Sequence, residues 1–448
     1  MMHRLRFVLC LSLFCLGALS ISAAKAKVFS PQSFTLKNGL QVVVISNHRA
    51  PVVTQLIIYK VGAMDEPAGK SGIAHFFEHL MFKGTKNLKS GEFSAIVARN
   101  GGQENAFTSQ DYTGYHQSVS VDRLGTMMRI EAERMRNLVL TKEDIEPERR
   151  VVLEERNSRV KNNPSALLNE ETAAAFYLNH PYRIPVIGWE HEIKTLKRDD
   201  LIKFYRQWYA PNNAVLIFAG DVTVKTIRPM VEKYYGKLAA VKMPKRVSWR
   251  EPPQQSERRV VLKHRQVRQP SWKRKFLAPG MNAGDRSTVY ALEVLSEIIG
   301  GGTTSRLYRS LVVEQKIAAN AGAWYDGDNR GPGNFGFYGT PVAGKTVGDI
   351  ELAMEKEIAK LLKDGVTEKE VKQAITRLQN AAVYARDGLS TPANIVGEAL
   401  AIGLTLEDVE QWPERIGAVT VQKIGQAIKQ VLGRKGSVTS LLLPETKK

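Results

Sequence analysis

Cysteine is nearly absent: Cys10 and Cys15 are the only two, and both lie in the first apolar segment. Beyond that segment no disulfide can form, so stability must come from packing. Any metal site there must use His, Asp or Glu. Long apolar runs are equally scarce. Residues 7–21 form the one predominantly apolar stretch, which is short for a bilayer span. No later run is long enough to cross a membrane, and no stable span is expected. Acidic residues are under-represented, with Asp+Glu 45 against Lys+Arg 64 and a net charge of +19. The basic stretches at 242–250 and 263–275 come without a zinc knuckle, an RNP-type aromatic motif or a helix-turn-helix signature. They read as solvated surface charge, and no nucleic-acid partner is expected.

What is present begins with a leader. Residues 1–6 are short and basic, 7–21 are apolar, and Ala24-Lys25-Ala26 places small residues at the A-x-A spacing. This predicts a secretory signal peptide over 1–26, removed after Ala26, and a periplasmic location. The remainder has ordinary globular composition, and the length is enough for about two to three domains.

Asn38-Gly39 between apolar runs predicts a hairpin turn, with a strand over 40–45 after it. Residues 51–61 are β-branched and suit a central strand. Helical periodicity follows at 71–83, 90–100, 122–138, 146–160 and 196–208, then a strand at 214–219. A second copy of this plan begins near residue 258. It has strands at 259–263, 269–277, 334–340 and 437–443, and helices at 286–299, 346–362, 367–384 and 420–431. Residues 241–256 hold Pro244, Pro252 and Pro253 and read as a linker. The expected fold is α+β, with two related domains at 27–240 and 257–448. Each is a mixed sheet with packed helices, and only the first carries a metal motif.

That motif is GIAHFFEHLMF, residues 72–82. Nearly every residue is apolar except His75, Glu78 and His79, and polar groups on a buried helix cost free energy unless paired. At about 100° per residue, Glu78 falls roughly 60° to one side of His75 and His79 roughly 40° to the other. The three share one arc. Two histidines one turn apart can hold one zinc ion, and the glutamate beside them can act as a base. The order His-x-x-Glu-His is an inverted zinc-peptidase signature. A third ligand is still required. Residues 146–160, a helix expected to open at Pro147, carry Glu148, Glu154 and Glu155. Spacing nominates this helix without choosing between Glu154 and Glu155.

Taken with ERRVVLEE, HFFEHLMFKGT, NAFTSQDYTGY and WYAPNNAVLIFAGDV, the motif resembles the pitrilysin (M16) family of inverted zinc metallopeptidases. The likeness is to the branch of the processing-peptidase β subunit and its bacterial relatives, over nearly the whole mature chain. The resemblance implies one Zn2+ per chain, held by His75, His79 and Glu155. It implies Glu78 as general base for a zinc-activated water, and Glu148 as the glutamate that steadies the ligands. Asn105, Ala106, Phe107 and Thr108 match the edge strand on which the family lays extended substrates. The fold implied is one half-shell of a peptidase chamber, acting as an endopeptidase on peptides or unfolded segments.

One departure stands out. Relatives carry Arg and Tyr in a stretch of the form LRExxxLAY, which hydrogen-bond substrate and oxyanion. Here residues 311–319 read LVVEQKIAA, with Val312 and Ala319 at those places. Tyr325 and Arg309 are the nearby residues able to substitute. The departure implies a heterodimer in which a second M16-like subunit supplies the Arg/Tyr pair, with a homodimer as the other arrangement. The alternative function is a non-catalytic scaffolding or assembly subunit of such a dimer.

Overall fold

The computed structural model describes residues 28–445, so the expected leader over 1–26 lies outside the described residues. Apolar β-branched segments build the first sheet. Its strands are β1 (Gln32–Thr35), β2 (Gln41–Ser46), β3 (Val52–Tyr59), β4 (Gln103–Thr108), β5 (Thr113–Ser120) and β6 (Ala214–Gly220). They lie in the order β1-β2-β6-β3-β5-β4. The second sheet holds β7 (Glu257–His264), β8 (Ser271–Ala278), β9 (Ala318–Asp326), β10 (Gly333–Pro341) and β11 (Ser437–Pro444). Its order is β7-β11-β8-β10-β9. With β1 set aside the two orders coincide. Each sheet also has a single parallel pair at the same place, β2 with β6 and β7 with β11. The duplication expected from the sequence is therefore visible strand by strand.

Each sheet packs one face on its own helices. In the first domain Val42, Val44, Val53 and Ile57 meet Phe76, Phe77, Met127 and Ile130. In the second Trp272, Phe276, Phe335 and Phe337 meet Leu292, Leu295, Ile350 and Ile428. The other faces are covered by exchange. The helix Thr391–Ala401, late in the chain, lays Ala393, Val396 and Leu400 on Leu56, Ile58 and Ile217 of the first sheet. Gly397 permits this approach, since a Cβ there would lie 2.7 Å from Ile58 Cδ1. In return the helix Pro164–Phe176 sets Leu168 against Leu442, Val260 and Leu262 of the second sheet. Residues 241–256 join the sheets without helix or strand. They are nonetheless held in place. Arg246 Nε bonds Asp65 at 3.1 Å, and the Glu251 carboxylate accepts from the backbone N–H groups of Leu178 (2.6 Å), Asn179 (3.0 Å) and His180 (2.9 Å).

Two expectations need correction. The helix placed at 146–160 does not open at Pro147; it spans Lys142–Arg156 and continues into a π-helical turn, Asn157–Lys161. Thr141 starts it. Its hydroxyl accepts from Asp144 N at 3.2 Å while the Asp144 carboxylate returns a bond to Thr141 N at 3.0 Å. That reciprocal cap satisfies two end groups, so the helix begins at the cap and takes Pro147 into its second turn at the loss of one internal bond. Second, β5, β9 and the two exchanged helices were not anticipated. The exchanged helices have apolar faces that match a sheet in the other domain, which sequence periodicity cannot reveal.

Candidate metal centre

The helix Ile73–Leu80 follows β3 and buries Ile73, Ala74, Phe76, Phe77 and Leu80. That orientation leaves His75, Glu78 and His79 on the side facing the helix Lys142–Arg156 and strand β4. No Ser or Thr caps its start. Instead the Glu66 carboxylate accepts from Gly72 N (3.0 Å) and Ala74 N (2.9 Å), and Glu192 accepts from Ser71 N at 2.6 Å. Carboxylates at a helix N-terminus satisfy its free N–H groups and complement its dipole. Burial pushes the Glu66 carboxyl up, against the pull of those two N–H groups. Gly72, at φ 81°, lies against Gly188. A Cβ on Gly72 would come 2.5 Å from Ile187 O, and one on Gly188 2.5 Å from the Gly72 Cα. The helix register is thus pinned by Glu66, Glu192 and Gly188, none of which the motif contains.

Three donor atoms converge. The ligand atoms of His75, His79 and Glu155 all lie within 4.8 Å of one another. Glu155 Oε2 is 3.6 Å from His75 Nε2 and 3.1 Å from His79 Nε2. His79 Nδ1 bonds Glu148 Oε1 at 2.8 Å, and Lys83 Nζ lies 2.5 Å from Glu148 Oε2. A proton on His79 Nδ1, donated to Glu148, leaves the Nε2 lone pair aimed at Glu155. Glu155 Oε2 is buried, and the two imidazole Nε2 atoms are what it faces. Facing lone pairs this close need a cation between them, either a proton on His79 Nε2 or a metal ion. Two imidazole nitrogens and one carboxylate oxygen are the donor set of hydrolytic zinc sites, so the residues fit zinc. Glu155, not the exposed Glu154, is the residue that the fold brings in.

The clustered groups also shift one another's protonation. Burial, reinforced by the neighbouring His79, lowers His75 to about 4. Burial works against protonation of His79 too, but Glu148 and Glu155 raise it to about 9. The bond from His79, helped by Lys83, holds Glu148 at about 2. Glu155 is held below the usual carboxylate range by His79, with His75 and Arg159 adding to it. Burial raises Glu78, although the Thr108 hydroxyl donates to its Oε2 at 2.5 Å.

Thr108 sits on β4, which pairs with β5 on one side only and so presents an open backbone edge. The four residues expected to bind substrate divide by alternation. Thr108 and Ala106 face the metal-motif side, with Ala106 packed on the first core. Phe107 lies on the opposite side, where its ring covers Gly114; a Cβ at Gly114 would be 2.4 Å from it. Asn105 shares the side of Phe107 and turns its Oδ1 back to Ala106 N at 2.9 Å. Val312 is half-buried against the second core, and Ala319 lies exposed on β9. The substitute donors fare unequally. The Tyr325 hydroxyl is committed to Pro279 O at 2.5 Å, so Tyr325 cannot stand in for the missing tyrosine. Arg309 is exposed, 3.7 Å from Glu314.

Residues 41–189 match the family described as insulinase (peptidase family M16), and residues 195–378 match the peptidase M16 inactive domain. The chain belongs to peptidase family M16. A zinc protease, PqqE, of Helicobacter pylori is 36% identical over 297 residues, a match spanning 65% of this chain and 65% of that protein. The crystal structure of a protease from Helicobacter pylori superposes with a TM-score of 0.86 at 29% identity, covering 92% of this chain and 99% of that one. The periplasmic protease PqqL from Escherichia coli shares the fold, with a TM-score of 0.82 at 20% identity. It covers 94% of this chain but only 48% of its own, so this chain has the extent of one half of it. The two α+β domains are an M16 half-shell, and the family is one of zinc peptidases.

Because Glu148 orients His79, a Glu148→Ala variant should bind zinc about 10–100-fold more weakly while keeping its fold. Competition against a chromophoric chelator measures this; wild-type affinity in the variant would remove Glu148 from the site.

Proposed function

We propose that this chain is a zinc-dependent endopeptidase acting on peptides or unfolded segments, with the metal held by His75, His79 and Glu155. The observation that carries the reading is the convergence of the buried Glu155 oxygen with two imidazole nitrogens, Glu78 lying on the helix of the two histidines. When bound, zinc supplies Lewis acidity, lowering the pKa of water and polarising a peptide carbonyl. The chain's own residues do the rest. Glu78 Oε takes a proton from the attacking water and returns it to the leaving amine. Its burial brings its pKa nearer neutrality, which suits a group that must both accept and release a proton. Thr108 fixes the orientation of that carboxylate. Glu148 holds the His79 ring through Nδ1. The free edge of β4, across residues 105–108, receives an extended substrate backbone as an added strand.

Donors to the developing oxyanion are lacking at Val312 and Ala319, and Tyr325 is occupied. A second M16-like subunit therefore completes the site, either a non-identical chain or a second copy. The half-length match to PqqL supports pairing of two half-shells. The leader composition supports export to the periplasm with residues 1–26 removed. The missing donors also favour a second reading, a scaffolding subunit without catalysis. Hydrolysis of a quenched fluorescent peptide library by the chain beginning at Lys27, with and without chelator, separates the readings. Chelator-sensitive cleavage is the expected result, strengthened by a partner. A chain that takes up no zinc would leave the scaffolding reading.

A further inference from the structure

The second sheet carries a built surface that the metal centre does not use. Along β8, Trp272, Arg274 and Phe276 are buried, so Lys273, Lys275 and Leu277 alternate onto the opposite face, the one that receives the helix Pro164–Phe176. The register sets Tyr338 beside Lys273 and Gly336 beside Lys275, then Gly322 beside Tyr338 and Trp324 beside Gly336. Each glycine lies under a ring. A Cβ on Gly336 would be 2.1 Å from the Trp324 indole, and one on Gly322 2.5 Å from the Tyr338 hydroxyl. The two rings are 6.1 Å apart, and Lys275 Nζ is 5.9 Å from the Trp324 centroid. Trp324 is fixed by its Nε1 donating to Asn334 Oδ1 at 3.1 Å.

Among the described residues the two ammonium groups have no ion-pair partner in contact. Lys273 donates to Asn169 Oδ1 at 3.2 Å, a neutral partner on the helix Pro164–Phe176. Among the described residues, neither lysine has a carboxylate within 4.0 Å. Asp326 acts on Lys275 from beyond contact, and its oxygens accept from Asn329 (2.9 Å) and Asn334 (3.1 Å). Burial lowers both lysines, and Lys273 lowers Lys275 further. Two half-buried like charges on one face are unfavourable until an anion joins them. The same helix ties this face to the metal centre. It follows directly on the π-helical turn after Glu155, and Arg156 grips Glu170 on it at 2.8 Å.

We propose that this platform recognises acidic peptide segments, Lys273 and Lys275 holding an Asp or Glu side chain while Trp324 and Tyr338 support the adjoining residue. As a statement about substrate it rests on the peptidase reading, but binding can be measured without cleavage. Zinc-loaded Glu78→Gln protein is titrated against fluorescein-labelled peptides of equal length and aromatic content, acidic, neutral or basic, at low and high salt. The acidic peptide should bind roughly tenfold more tightly than the neutral one, the scale of one charge-assisted hydrogen bond. High salt and the Lys273→Gln/Lys275→Gln pair should each erase that preference and leave the neutral peptide unchanged. In protein with Glu78 intact, the lysine pair should raise KM for the acidic peptide about tenfold with kcat unaltered. Equal affinities for the three peptides, or a preference that survives the double substitution, would overturn the proposal. Acidic binding without any cleavage would instead count against the peptidase reading alone.

Discussion

Replacing Glu78 by Gln should lower kcat by about 10²–10⁴ while zinc content stays at the wild-type level. Gln keeps the size of the side chain, and its carbonyl oxygen can still accept from the Thr108 hydroxyl that now bonds Glu78 at 2.5 Å. What it loses is the capacity to take a proton. None of the three converging donor atoms belongs to Glu78. Metal occupancy and rate should therefore separate. Stability should not fall, because burial penalises the Glu78 carboxylate and an uncharged amide avoids that cost. Zinc analysis, thermal melting and peptide kinetics on one preparation test all three points. A variant that retains full kcat would show that Glu78 is not the base, and one that loses zinc would place it among the ligands.

The parts of this site that were legible in the sequence were those in which polar residues break an apolar pattern. His75, Glu78 and His79 stand out because their helix is otherwise buried. The β-branched run at β3 and the Asn38-Gly39 turn are legible for the same kind of local reason. Glu155 was less so. Glu154 and Glu155 adjoin on one helix, and only the packing of that helix against Ile73–Leu80 turns one inward and leaves the other exposed. The residues that fix the centre's geometry had no local signal at all. Glu66 and Glu192 act through backbone N–H groups, and an acid doing so looks like any surface acid. Gly188 matters because Gly72 presses on it across the chain. The exchanged helices Pro164–Phe176 and Thr391–Ala401 carry no local signal, because their partners lie in the other domain.

The duplication also explains why one domain has a metal motif and the other none. The helix Arg286–Gly300 follows β8 as Ile73–Leu80 follows β3. Its buried residues, among them Val289, Leu292, Leu295 and Ile299, keep the packing role of its counterpart. The scaffold needs only that apolar face. The side chains able to hold a metal occupy the remaining arc in one copy, and the other copy folds without them.

That separation of fold from metal makes the second large effect predictable. Glu155→Ala should weaken zinc binding by more than about 100-fold, beyond the loss expected for an outer partner such as Glu148. Two histidines alone leave the site short of the three protein ligands that hydrolytic zinc centres use. The variant loses the Glu155 pair with the largely exposed Arg159 at 2.8 Å, worth about 0.3–0.5 kcal/mol for residues one helical turn apart, and the Glu155 contact with His79 at 3.1 Å. In the wild type, free zinc at 100 times Kd should add about 2.7 kcal/mol by mass action. Melting with and without chelator should therefore show a large difference for the wild type and almost none for Glu155→Ala. Without metal the variant should melt below the wild type, by the lost contacts with His79 and Arg159. A variant that still responds to chelator as the wild type does would move the third ligand away from Glu155, with Glu154 the next residue to replace.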